Sequence, residues 1–173
     1  MSMHSRIMLS EEEFLNLPDT PGKHELLDGE LIDLPPAKHH HGIIALNLTY
    51  LLAAVLAKYR VWREEAYCLR EGRWLIPDVS VSWPDQPIER DWFKGSPMLA
   101  IEIASRGNTA EELESKTALY LEGGAAEVWV LYPKTQTIVV SRKHDILRIG
   151  PGETYYCELL KLTVISNFWV PEE

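Results

Sequence analysis

Three side chains set the chemical question. They are Asp78 in "RWLIPDVSVSW", Glu102 in "PMLAIEIAS" and Lys116 in the segment that follows. Both acids interrupt apolar, β-branched runs that read as interior strands. An ionised carboxylate in such a run is costly unless it is paired, hydrated or bound to a metal. Pro77, beside Asp78, cannot donate to a sheet ladder and marks an edge, a strand start or a bulge. Strands that follow one another in the chain tend to lie side by side, so the two carboxylates can converge. Two close carboxylates repel, and one takes up a proton unless a cation lies between them. Mg2+ suits that place, because it takes hard oxygen ligands and often needs one or two carboxylates from the protein. Such an ion polarises a phosphate and lowers the pKa of a bound water. The alternative is that Asp78 caps a bulge and Glu102 pairs with an interior Arg or Lys.

Lys116 shares a helical face with Leu113, Leu119 and Tyr120 by three- and four-residue spacing. That puts it beside the buried side, reaching back over the sheet. Its other reading is an ion pair with Glu112, four residues earlier. The run "HHH" at 39–41 invites a metal reading, but adjacent histidines cannot all face one ion on a helix. His39 and His40 read as exposed. "SRGN" at 105–108 reads as a strand-to-helix turn, with Arg106 as an alternative phosphate contact.

The elements that must position these residues are legible in part. Ser10 and Glu13 form a capping box, predicting a short helix over 11–17 that stops before Pro18. In "HELLDGELIDL", two apolar arms flank Asp28-Gly29, a signal for a tight hairpin. Apolar residues at Ile44, Leu48, Leu51, Leu52, Val55 and Tyr59 predict a helix from about Lys38 to Tyr59 with a broad buried face. Strands are expected at 61–69 and 73–83, a loop at 84–96, and a central strand at 98–104 covered on both faces. Thr109 and Glu112 open a second capped helix, which Gly123-Gly124 ends. "AEVWVLYP" reads as a buried strand, "TQTIVVSRK" and "DILRIG" as a hairpin, with weaker strands beyond. The fold class is α/β or α+β, a mixed central sheet flanked by helices, with an N-terminal helix and hairpin.

Composition narrows the function. The 173 residues suggest one domain with a substantial core. A net charge of −9 argues against coating nucleic acid by bulk charge. It leaves room for a local basic surface among Lys58, Arg60, Arg63, Arg70 and Arg73, which otherwise read as a solvated hairpin with Glu64, Glu65 and Glu71. No apolar run approaches a membrane span, and the first residues lack a signal peptide's hydrophobic region, so a cytoplasmic location is expected. Cys68 and Cys157 form no metal or redox motif and read as reduced packing residues. Trp92, Phe93 and Trp169 read as exposed aromatics that could support a homodimer.

Six segments occur in an order that resembles the Uma2 family of endonucleases within the PD-(D/E)XK, restriction-endonuclease-like superfamily. They are "HELLDGELI", "HGIIALNLTYLL", "PDVSV", "IEIAS", "KTALYLEGG" and "EVWVLYP" taken with the hairpin motif as the first. The resemblance implies a Mg2+-dependent nuclease, with Mn2+ as a possible substitute and DNA as the substrate. It implies that Asp78 and Glu102 bind the metal and that the backbone carbonyl of Ile103 adds a ligand. The superfamily's lysine two positions past the Glu is absent, since Ala104 stands there. The match is Lys116, moved to the following helix. Glu25 is implied as an accessory acid, with pairing to a base as its other reading. His41 is implied in a structural or phosphate-side role. A non-catalytic binding or assembly module of the same fold is the alternative, and hydrolysis of a small phosphate ester is a third reading.

Overall fold

The computed structural model describes residues 6–18, 22–36, 38–56, 60–165 and 169. Helix α1 (Glu11–Leu15) begins with the expected capping box: the Glu13 amide donates to Ser10 Oγ, and the Glu13 carboxylate accepts from the Ser10 amide. Strands β1 (Lys23–Leu27) and β2 (Glu30–Leu34) form the first hairpin. Asp28 and Gly29 both have positive φ, 53° and 89°. A two-residue turn between twisted strands favours that conformation, and glycine adopts it without strain.

Helix α2 (His39–Val55) follows, ending earlier than the apolar spacing predicts. Its buried residues are Ile44, Ala45, Leu48 and Leu52, a stripe of three- and four-residue steps. Val55 is exposed, so the buried face is narrower than expected. Tyr59 lies outside the described residues.

The expected pair of long strands over 61–83 is broken in two places. Strands β3 (Arg60–Arg63), β4 (Tyr67–Arg70), β5 (Arg73–Leu75) and β6 (Val79–Ser82) belong to two sheets. β3 pairs with β6, whereas β4 pairs with β5. The hairpin therefore starts in one sheet and its tip lies in the other. Glu64 takes a positive φ of 53° at one break. Pro77, which has no amide to leave unpaired, occupies the other.

The segment expected to be a loop carries two short strands, β7 (Ile88–Glu89) and β8 (Trp92–Lys94). Tertiary packing overrides its polar composition, because β8 lies alongside β4 and Phe93 stacks on Tyr67 with centroids 5.0 Å apart. Phe93 is 2% exposed, Trp92 is half-buried with its ring against Trp74, and Trp169 packs against the core. These three aromatics are thus not the exposed set expected from sequence.

Strand β9 (Leu99–Ile103), helix α3 (Ala110–Glu122), and strands β10 (Glu127–Tyr132), β11 (Thr137–Ser141) and β12 (Ile146–Ile149) complete the main frame. A further pair, β13 (Thr154–Cys157) and β14 (Leu162–Ile165), stands apart as its own ribbon. The first six-stranded sheet runs β2-β1-β5-β4-β8-β7, and the second runs β12-β11-β10-β9-β6-β3. β9 is parallel to β10 and antiparallel to β6, so the second sheet is mixed. Cys68 and Cys157 are both buried free thiols. Among the described residues no helix is long and apolar enough to cross a membrane.

Both faces of the second sheet are covered, as expected for β9, which is apolar except for Glu102 and buried along its whole length. Leu99, Ile101 and Ile103 pack with Ile44, Leu48 and Leu52 of α2. Ala100 packs on the other side with Tyr120 of α3 and with Leu75 of the first sheet. Burial of each such leucine or isoleucine stabilises the fold by about 1.5–3 kcal/mol. The strand's alternation thus sends Glu102 to the α3 side.

Candidate functional site

The register of β6 and β9 explains why Asp78 and Glu102 meet. Val79 faces Ile101, Ser80 faces Ala100 and Val81 faces Leu99. Asp78 directly precedes Val79, and Glu102 directly follows Ile101, so both acids lie at the same end of this pairing. The break at Pro77 ends the ladder there, and Asp78 turns to bond the neighbouring backbone: its Oδ2 accepts from the Ile103 amide at 2.8 Å. Asp78 is 4% exposed and Glu102 5%.

Basic side chains meet both acids. Lys23 Nζ donates to Asp78 Oδ1 at 2.7 Å and lies 3.7 Å from Glu64. His41 Nε2, from the first turn of α2, is 3.1 Å from the same Asp78 oxygen. Lys116 Nζ, from α3, donates to Glu25 Oε1 at 2.8 Å and stands 3.5 Å from Glu102 Oε1. Tyr120, one turn along α3, donates its hydroxyl to Glu102 Oε1 at 2.9 Å. Glu25 lies next to Leu26 in β1, and alternation turns Leu26 toward Trp74 and Glu25 toward α3. Its Oε1 also accepts from the Ile76 amide at 2.9 Å, which secures the backbone at the break before Pro77.

These contacts separate the two acids electrostatically. Burial acts to raise the Asp78 pKa, but His41 and the Lys23 ammonium outweigh it and hold the group well below the usual carboxylate range. Burial pushes Glu102 up to about 7, with Asp78 and Glu25 adding to the rise and Lys116 opposing it. Lys116 is raised despite its burial, because Glu102 and Glu25 favour its charged form. Burial and the nearby Glu102 lift the Tyr120 hydroxyl well above its ordinary value. The site therefore holds a firm carboxylate, a second acid that titrates near neutrality, and an ammonium that keeps its proton.

Residues 11–160 match the model of a family described as "Putative restriction endonuclease", named Uma2. The chain belongs to the Uma2 family. A solved structure titled as a "putative nuclease belonging to DUF820" from Anabaena variabilis shares the fold. It superposes with a TM-score of 0.82 at 22% identity, covering 92% of this chain and 96% of that one. No relative among curated proteins matches the sequence.

Within this Uma2 chain, the structure brings Asp78, Glu102, Lys116, Glu25 and His41 together. Glu102 does pair with an interior lysine, as one reading of the sequence held. Lys116 does not pair with Glu112, whose carboxylate instead accepts from the Thr109 amide in the helix cap. Ile103 engages Asp78 through its amide. His39 and His40 are exposed, and "SRGN" is a turn closed by hydrogen bonds from Ser105 to Asn108 Oδ1.

Sequence reasoning gave no role to Lys23 or Tyr120. Both had a signal: Lys23 is two residues before Glu25 on one strand, and Tyr120 is four after Lys116 on one helix, so each shares its neighbour's face. The donors suit a divalent cation in chemistry, being two buried carboxylates, one of which bonds the amide next to the other. Glu25 Oε2 is a further buried carboxylate oxygen with no hydrogen-bond partner among the described residues. No group of three or more His, Cys, Asp or Glu side chains among the described residues forms a ready ligand cage. Mg2+ does not need one, since water and substrate phosphate complete its shell.

Proposed function

We propose that the protein is a Mg2+-dependent endonuclease that hydrolyses phosphodiester bonds, with DNA as its substrate. One observation carries this reading: Asp78 bonds the Ile103 amide, next to Glu102 in β9, and Lys116 reaches Glu102 from α3. Asp78 and Glu102 would hold the ion, with the Ile103 carbonyl as a further oxygen. Bound there, Mg2+ would supply Lewis-acid polarisation of the phosphate and a lowered pKa for attacking water.

The chain's own groups supply position and charge. Lys116 keeps its proton, so it serves as a donor and a point charge, not as the base. It orients the entering water and steadies negative charge on the phosphoryl oxygens during in-line displacement. Tyr120 fixes Glu102 through Oε1, and the Ile103 amide fixes Asp78 through Oδ2. Glu25 acts on Lys116, holding the ammonium in place. His41 backs Asp78 from α2.

Calorimetric titration with Mg2+ and Mn2+ tests the reading, run on wild type, Asp78→Ala and Glu102→Ala beside cleavage assays on supercoiled, nicked and single-stranded DNA. Binding at one or two sites and cleavage are expected in the wild type, and neither in the variants. A wild type that gives no heat with either metal and leaves every DNA form intact would overturn it.

One observation favours a second reading, a non-catalytic binding or assembly module. Lys23 and Lys116 already neutralise the acids, and Ala104 stands where the superfamily lysine would be. That reading expects no metal heat and unaltered behaviour in Asp78→Ala.

A further inference from the structure

Lys23, whose ammonium rests on Asp78, also lines a cavity of about 470 Å3 at the start of α2. Lys38, His39, Gly42, Arg63 and Glu64 line it too. Counting formal charges among these, three cations face one carboxylate, a local +2 in a chain of net −9. Glu64 is engaged by Lys23. Lys38 and Arg63 are exposed, and among the described residues neither side chain has an ion-pair or hydrogen-bond partner. Carboxylates are plentiful on this surface, and Arg70 and Arg73, close by in sequence, both pair with Asp28. Two cations left without acids among the described residues make this concavity electropositive, and an anion would relieve their mutual repulsion.

The shape and backbone agree. A Cβ built on Gly42 meets nothing within 4 Å, so the cavity is open at the helix wall. Lys38 makes no side-chain cap bond, and the first turn of α2 carries no acid, so the helix dipole adds to the positive field. Arginine's planar fork matches two phosphate oxygens, and lysine adds a point charge. The volume falls within the ~300–1,000 Å3 of ordinary ligand sites, room for a phosphate with its sugar.

We propose that this cavity is a phosphate subsite for a nucleic-acid strand, gripping a phosphodiester beside the one at Asp78 and Glu102. Arg63 and Lys38 bind the phosphate, and Lys23 stands between the subsite and Asp78. The choice of a polymer over a free anion rests on the nuclease reading above, since one strand would then cross both places.

The test is binding of fluorescein-labelled single- and double-stranded oligonucleotides, read by anisotropy in EDTA over a series of salt concentrations. The proteins are wild type, Lys38→Ala/Arg63→Ala, Gly42→Ala and Gly42→Glu. Both replaced charges are exposed, and a non-glycine at 42 suits a helix interior better than glycine does. The double variant should bind at least tenfold more weakly, and its slope of log affinity against log salt should fall by about two. Gly42→Ala should bind like wild type, and Gly42→Glu like the double variant.

Undiminished binding by the double variant and Gly42→Glu overturns the subsite, as does a wild type that binds inorganic phosphate but no oligonucleotide, or that binds neither. Mg2+-dependent cleavage, scored on the same preparations, separates the two ideas. A wild type that cleaves while the variants bind normally removes the subsite and keeps the nuclease reading. Charge-dependent binding without cleavage keeps the subsite and removes that reading.

Discussion

Lys116 donates a 2.8 Å hydrogen bond to Glu25, 91 residues before it in the chain. Glu25 is fully buried and Lys116 nearly so. The pair ties α3 to β1 across the site. Removing one partner of such a pair leaves an uncompensated buried charge, whereas replacing both can be close to neutral. Lys116→Ala should therefore cost about 3–5 kcal/mol of stability in urea unfolding. Glu25→Gln/Lys116→Met should recover most of that loss. An unchanged urea midpoint in Lys116→Ala would show that Glu25 is satisfied without it. The double variant also gives the cleaner test of chemistry, because its loss of cleavage would not reflect loss of the fold.

Glu102 should make stability fall with rising pH. Its pKa rises from 4.5 to about 7 on folding, so the native state binds a proton that the unfolded chain has released. The protonated group's stability is fully present below about pH 4.5 and is lost as pH climbs through about 7. Asp78 runs the opposite way, since its lowered pKa favours folding above its ordinary value and is lost in acid. In EDTA, the wild-type melting temperature should drop between pH 5 and 8. Glu102→Gln, which carries no charge to desolvate, should flatten that drop. Parallel curves for the two proteins would contradict the assignment. Lys116, Glu25, Asp78, Lys23 and Tyr120 all act on this carboxyl, so the difference between the two curves is the quantity to read.

Tyr120→Phe probes the same carboxyl from the donor side. Hydrogen bonds to a charged group contribute about 1.5–3 kcal/mol, against about 0.5–1.5 for neutral partners. The hydroxyl meets Glu102 as a neutral acid at pH 5 and as a carboxylate at pH 8.5. The stability lost in Tyr120→Phe should thus be larger at the higher pH, measured by denaturant unfolding at both. Equal losses would mean the hydroxyl does not serve the charged form.

Much of this was legible in the residues. Ser10 with Glu13, Asp28-Gly29, and Thr109 with Glu112 each encode their structure locally, through side-chain caps or a turn conformation, and each formed where expected. The run "LAIEI" carries its burial in its own composition. Asp78 and Glu102 stood out because a carboxylate in an apolar strand needs an explanation. The misses have a different cause. Nothing local tells that the hairpin over 60–82 divides between two sheets, since each half looks the same as a strand of either. Phe93 sits in a polar segment, and its burial depends on Tyr67, far outside any local pattern. Lys23 has only its place two residues before Glu25 as a local signal, and its partner Asp78, brought close by the fold, gives it a role.

Glu127 is another buried acid, and its expected behaviour differs from that of Glu102. It lies on β10 with Trp129 and Leu131 on the α2 side of the sheet, the face opposite Glu102. Its carboxylate accepts from Trp129 Nε1 at 2.8 Å, Arg142 Nε at 2.9 Å, the Tyr155 hydroxyl at 3.0 Å and Cys157 Sγ at 3.5 Å. Tyr155 and Cys157 belong to β13, so this acid fastens the separate β13–β14 ribbon to the main sheet. Its charge also helps burial push the Cys157 thiol up to about 12. Glu127→Gln keeps the volume but loses the charge-assisted bonds, each worth about 1.5–3 kcal/mol. Hydrogen exchange should then quicken through residues 154–165 while the amides of β9 and α3 keep their protection. Unchanged protection across that ribbon would mean that Val164 and Leu160 hold it by packing alone.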